Sequence, residues 1–166
     1  HYESVLVCKV HPKYNLNEKV WDSVEEFDDE FWENRHESIR NFEKHLANNG
    51  TTIIKIFLNI SKKEQKKRFL DRIDEQEKNW KFSLGDLPER ALWDEYMKAY
   101  EKAINETSKD HAPWFVIPGD DKWFARVAAI QIIIDALEGM DLKFPKLSAE
   151  DQKALESARK QLENEE

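Results

Sequence analysis

Residues 51–60, TTIIKIFLNI, are β-branched and nearly all apolar, and the next four residues, Ser61 to Glu64, form a capping-box pattern. A run of that composition suits a strand buried on both faces of a parallel sheet. A Ser followed three residues later by Glu starts a helix at once. A strand that feeds directly into a helix constrains the fold more than any average of composition. It predicts a βα unit and, if it recurs, a layered α/β domain with parallel crossovers.

It does recur. Residues 113–118 (PWFVIP) read as a second short buried strand. Gly119-Asp120-Asp121 then turns into a helix predicted from Lys122 to about Glu138, ended by Gly139. Between the strands, the first helix runs to about Asp74 and residues 75–85 read as a loop. Asp86, Pro88 and Glu89 supply an acceptor cap, a preset φ and a carboxylate at the positive end of a further helix to about Thr107. Upstream, Phe31, Arg35, Ile39, Phe42 and Leu46 follow spacings of three and four, an amphipathic helix closed by Asn48-Asn49-Gly50. Val5, Leu6, Val7 and Val10 fit a strand or a short helix equally. Beyond Lys143, a start signal at Ser148 precedes a thin stripe of Leu155, Ala158 and Leu162, expected to be exposed or to meet a partner.

The charge pattern narrows the classes of function. The net charge is −8, from 26 basic and 34 acidic side chains, which disfavours a general nucleic-acid coat but leaves room for a local basic site. Residues 22–37 carry eight carboxylates against Arg35 alone. One cysteine, Cys8, excludes an internal disulfide and makes a reducing cytoplasm the expectation. No apolar run approaches the ~20 residues that cross a bilayer, so no membrane role is expected. The five histidines lack metal-ligand spacing, and no metal-binding residues are expected in the chain.

Within this acidic protein, residues 62–72 (KKEQKKRFLDR) hold six basic side chains. Arg68 and Arg72 share one helix face, Lys63 and Lys67 another. Guanidinium forks suit phosphate oxygens; a solvated helix face would look the same. Lys81, between Trp80 and Phe82, either binds an anion or points to water while the rings pin the loop. Lys122 and Arg126 follow the last strand, where ligands of open α/β sheets lie, and Asp120 or Asp121 is expected to cap the helix there. No G-x-x-x-x-G-K-[ST] loop occurs, and the chain has four glycines in all.

Several of these stretches resemble the family-2 polyphosphate kinases. The resemblance runs through His1-Tyr2-Glu3 with Val10-His11-Pro12, Ile39-Arg40-Asn41-Phe42-Glu43, and Ser61 with Glu64-Gln65, Arg68-Phe69-Leu70 and Arg72-Ile73. It continues in Asn79-Trp80-Lys81-Phe82-Ser83, Arg90-Ala91-Leu92-Trp93-Asp94, Ala112-Pro113-Trp114 and Lys122-Trp123-Phe124-Ala125-Arg126, and covers residues 1–142. It implies a P-loop-kinase-like, thymidylate-kinase-like parallel sheet with flanking helices and a helical lid at about 61–90, incomplete at the N-terminus, followed by a helical tail at 143–166. It implies transfer of a phosphoryl group between inorganic polyphosphate and a nucleoside mono- or diphosphate such as ADP, with magnesium, in a protein that associates with copies of itself. Arg68 and Arg72 would be catalytic, gripping the phosphates. Lys66, Lys67, Lys81, Lys122 and Arg126 would bind polyphosphate or nucleotide. The family's G-x-D-x-x-G-K loop, and the Asn- or Asp-Arg-Ser before the His-Tyr-Glu segment, are not among these residues. Since the chain opens at His1 inside ordered-looking sequence, a piece of a longer domain, with little activity alone, is the expectation. A non-catalytic polyanion-binding or subunit-interaction module is the alternative, and an ATP-dependent nucleoside-monophosphate kinase is a third.

Overall fold

The computed structural model describes residues 1–165, which fall into two compact units, His1–Ile133 and the residues from Ile134 onward. In the first, a short 3-10 turn, Tyr2–Ser4, leads to helix α1 (Val7–Val10), and two further 3-10 segments, Pro12–Glu18 and Val24–Glu26, precede the long helix α2 (Asp29–Asn48). Strand β1 (Lys55–Asn59), helix α3 (Lys62–Asp74), a 3-10 segment (Gln76–Lys81), helices α4 (Asp86–Ala91) and α5 (Trp93–Thr107), and strand β2 (Trp114–Pro118) follow. Helix α6 (Lys122–Gly139) begins in this unit. The second unit carries the end of α6 and helix α7 (Ala149–Glu163), whose N-cap Ser148 accepts from the Asp151 N–H. Leu155 and Leu162 of α7 are exposed. No helix among the described residues is long and apolar enough to cross a membrane.

The fold is mixed α/β and mostly helical. Its sheet has two strands among the described residues, paired in parallel from Lys55 opposite Trp114 to Asn59 opposite Pro118. The expected burial on both faces of β1 does not hold: Leu58 is 53% exposed and Val116, on β2, 51%. Two strands leave each with an outer edge and cannot cover both of their own faces. On one side, α2 and α1 pack against α5. The core there is Val5, Ile39 and Ala103, with Tyr2 and Leu6 against it.

The N-terminal apolar run resolves as helix rather than strand. In α2 the buried positions are Trp32, His36, Ile39 and Glu43, not the stripe through Phe31, Phe42 and Leu46; Phe42 is 49% exposed. The helix is turned from the expected phase so that the indole and two polar side chains face inward. Residues 75–85 are not all loop, because the Asn79 side chain donates to the carbonyls of Arg72 and Ile73 and folds the chain into a 3-10 turn. The helix expected from Asp86 to Thr107 is two helices, broken at Leu92. Asp86 is the first residue of α4 rather than its cap, and Gly85 occupies the cap position.

Candidate functional site

The parallel strands end together at a turn that only glycine fits. Gly119 donates its N–H to the Asn59 carbonyl at 2.8 Å. A Cβ on Gly119 would lie 2.7 Å from Cγ2 of Ile60, closer than carbon atoms tolerate. The two βα turns are therefore in contact, and two side-chain links stitch them. The Asp120 carboxylate accepts from the Ser61 N–H at 2.6 Å, and Arg68 Nη2 donates to the Gly119 carbonyl at 2.7 Å. Asp121 accepts from the N–H groups of Trp123 and Phe124 and so caps α6. The bond from Ser61, and then the nearby Arg68 and Lys63 charges, hold the Asp120 carboxyl below its usual range.

The capping box of α3 is half made. Ser61 Oγ accepts from the Glu64 N–H at 3.0 Å, but the Glu64 carboxylate turns to Arg68 Nε at 2.8 Å instead of back to the cap. The cap's own N–H is the one Asp120 takes. Arg68 is thus fixed at the C-terminal edge of the sheet, with one nitrogen on a carboxylate and another on the turn.

Two cavities flank this stitch. One of about 200 Å³ is lined by Leu58, Ile60, Arg68, Gly119, Lys122 and Arg126. The other, about 520 Å³ and open, is lined by Lys67, Lys122, Glu64, Asp71, Asp120 and Asp121. Among the described residues, Lys67, Lys122 and Arg126 have no carboxylate within ion-pair distance. Four cations and four carboxylates share the region, so its attraction for an anion rests on where the cations stand rather than on net charge.

The structure brings together Lys67, Arg68, Lys122 and Arg126 of the expected set. It does not bring in Lys66, Arg72 or Lys81. The Arg72 guanidinium lies 5.8 Å from the Phe69 ring, one turn farther along α3. Lys66 is exposed. Lys81 Nζ sits 5.1 Å over the Trp80 ring, which is itself 79% exposed. Of the two flanking rings, Phe82 is the one that pins that segment, edge-on to Phe69.

Two polar clusters were not legible beforehand as sites. Under α3, a cavity of about 360 Å³ is lined by Phe57, Gln65, Arg90, Glu89, Tyr96 and Tyr100, among others. Arg90 donates to Gln65 Oε1 and the Lys62 carbonyl, which ties α4 to α3. Glu89 accepts from Tyr96 and is 2.9 Å from His11 Nε2, and these bonds lower its pKa. Second, Lys55 Nζ contacts Glu43 Oε2 at 2.6 Å, the Thr107 carbonyl at 2.9 Å and Tyr2 Oη at 3.0 Å, all in the interior. The signal for this second cluster is present: a lysine inside the otherwise apolar run 53–58 requires a buried acceptor.

The described side chains form no dedicated metal cage. No three His, Cys, Asp or Glu residues group as metal ligands among the described residues, and both aspartates of the turn already accept backbone N–H bonds.

The family described as polyphosphate kinase 2 (PPK2) matches residues 12–145. The chain belongs to the polyphosphate kinase 2 family. It is 49% identical over 162 residues to the ADP-polyphosphate phosphotransferase of Rhodopseudomonas palustris, a match that covers 98% of this chain and 56% of that protein. It is 45% identical over 145 residues to the AMP/ADP-polyphosphate phosphotransferase of Meiothermus ruber, covering 87% of this chain and 49% of the relative. The crystal structure of polyphosphate kinase 2 from Arthrobacter aurescens TC1 superposes with a TM-score of 0.78 at 44% identity, covering 95% of this chain and 52% of that one. The chain thus spans about half the length of these family members.

Proposed function

We propose that this chain forms part of a phosphotransferase that moves a phosphoryl group between inorganic polyphosphate and a nucleoside mono- or diphosphate. The observation that carries this reading is the placement of Arg68, Lys122 and Arg126 around one cavity at the C-terminal ends of two parallel strands. Ligands of open α/β sheets bind in that position. Phosphoryl transfer is catalysed mainly by positioning and by charge stabilisation, the work such a set of cations can do. The relatives' names, ADP- and AMP/ADP-polyphosphate phosphotransferase, supply the substrate classes.

In this reading the fold is P-loop-kinase-like, residues 1–142 belong to the kinase domain, and residues 143–166 are a helical tail. Residues 61–90 act as the lid. Arg68 grips the polyphosphate or the transferred phosphoryl with the guanidinium N–H groups that its bonds to Glu64 and the Gly119 carbonyl leave over. Arg72, Lys66 and Lys81 meet the more distant phosphates of a long chain, and Lys67, Lys122 and Arg126 meet the nearer ones. We assign magnesium to the substrate phosphates, which commonly provide most of its ligands together with one or two carboxylates. Self-association and a cytoplasmic location belong to the same reading. These 166 residues contain no glycine-lysine phosphate loop, and no group here substitutes for its backbone N–H cradle.

The test is a pair of measurements on the 166-residue chain. Polyphosphate binding, followed by calorimetry, should weaken about 10- to 100-fold in Arg68→Ala, the value of a charged hydrogen bond. ATP formation from polyphosphate and ADP should be absent. Unchanged affinity in Arg68→Ala and Arg126→Ala removes the cleft from the reading, and robust turnover by the chain alone removes its dependence on a phosphate loop.

A further inference from the structure

A third cavity, of about 300 Å³, lies between α1, α2 and α5 and shares no lining residue with the two beside Gly119. Val5, Val10 and Ala99 are its apolar part, and Lys9, Lys98 and Lys102 its cations. Lys98 and Lys102 stand four apart on α5 and so share a face, where like charges repel. Lys9 comes to the same cavity from α1, with its ammonium 4.2 Å over the Trp32 ring. Burial, then the Lys102 charge, pushes the Lys9 pKa down. None of the three has a carboxylate within ion-pair distance among the described residues, although Glu95 also lines the cavity. All three lysines are exposed, so their ammonium groups are accessible to a ligand.

His36 forms part of the same wall. It is 3% exposed, and neither ring nitrogen has a hydrogen-bond partner. Glu33 and Glu106 favour its charged form, Lys102 and Arg40 oppose it, and burial outweighs them and lowers the pKa. Such a ring responds to any change in the charge of the cavity beside it.

We propose that this cavity is a second anion site, for a phosphate-bearing ligand held by Lys9, Lys98 and Lys102 over an apolar floor. Its volume suits a small organic phosphate or a few linked phosphates. A bound anion offsets the mutual repulsion of the lysines and stabilises the imidazolium of His36. The inference does not depend on the cleft at Gly119.

The experiment titrates the 166-residue chain with sodium tripolyphosphate and, separately, with AMP. Calorimetry gives affinity, and NMR of the His36 imidazole gives its protonation midpoint. Ligand should raise that midpoint in the native chain and in a cleft variant, Arg68→Gln/Arg126→Gln. It should leave it unmoved in Lys98→Gln/Lys102→Gln, whose affinity at this site falls about tenfold or more. Glu95→Gln, which removes the one carboxylate lining the cavity, should bind more tightly and serves as a folded gain-of-affinity control. AMP acting at lower concentration than tripolyphosphate identifies a nucleotide as the ligand, and the reverse order identifies an inorganic chain. A His36 midpoint that no ligand moves, or that moves equally in the lysine variant, overturns the proposal. Loss of binding in the cleft variant alone would leave the proposed function standing and remove only this second site.

Discussion

Lys55→Met removes an ammonium that contacts three oxygens, on Glu43, Thr107 and Tyr2, within 3.0 Å. The side chains of Lys55 and Glu43 are 7% and 4% exposed, so water cannot take the place of the lost donor. Removing one partner of a buried pair costs about 3–5 kcal/mol, because the other charge stays behind uncompensated. Here Tyr2 still donates to Glu43 Oε1 at 2.7 Å, which sets the expectation at the low end, about 3 kcal/mol. For a domain of this size that lowers the melting temperature by roughly 6–12 °C. Urea unfolding at pH 7, followed by tryptophan fluorescence, measures it. The double variant Lys55→Met/Glu43→Leu tests the cause, since removing both charges should restore much of the stability lost in the single variant. Two results would refute the reasoning: a Lys55→Met stability within about 0.5 kcal/mol of the parent chain, or strictly additive losses in the double variant.

Gly119→Ala should destabilise the chain by about 1–3 kcal/mol, the cost of overpacking, because its new methyl meets Ile60 at 2.7 Å; an unchanged urea midpoint would show that the two βα turns can move apart freely. His36 gives a pH dependence of known sign. Its folded pKa lies below the unfolded value near 6.5, so between the two the unfolded chain binds more protons, and stability rises with pH across that window and falls on acidification through it. His36→Leu should flatten this acid-side slope in unfolding curves collected from about pH 5 to 7, and a slope that persists would assign the effect to other groups.

The sequence made β1, α3, β2 and α6 legible because each carries a local signal: a β-branched apolar run, a Ser-x-x-Glu start, and an Asp-Asp turn after glycine. What it hid depends on contacts distant along the chain. The phase of α2 is set by Glu43 reaching Lys55 and by His36 packing against α1 and α5, and hydrophobic spacing does not register a buried carboxylate. The 3-10 segment Gln76–Lys81 rests on the Asn79 amide bridging back to two carbonyls of α3. The candidate site was half legible. Position relative to the strand ends marked Lys122 and Arg126, and the basic run marked α3, but nothing local told Arg68 from Arg72. That distinction comes from Gly119, whose carbonyl lies within reach of one and not the other.

This difference bears on how a basic helix could close over phosphates. Near its start, α3 is held to the β2–α6 turn by the Ser61–Asp120 and Arg68–Gly119 bonds, and to α4 by Arg90. Moving residues 61–90 as one rigid lid would break the first two of these links together. The far end of the helix has looser ties: Asn79 to the carbonyls of Arg72 and Ile73, and the edge contact of Phe69 with Phe82. Motion that preserves the stitched turns therefore belongs to the segment beyond Arg68, which carries Arg72, Trp80 and Lys81. If phosphate binds at the strand ends as proposed, Arg68 is the fixed point and the distal cations come to a phosphate chain lying against it. Hydrogen exchange separates this from whole-body closure: adding polyphosphate should protect amides of residues 72–82 while those of residues 61–68 change little.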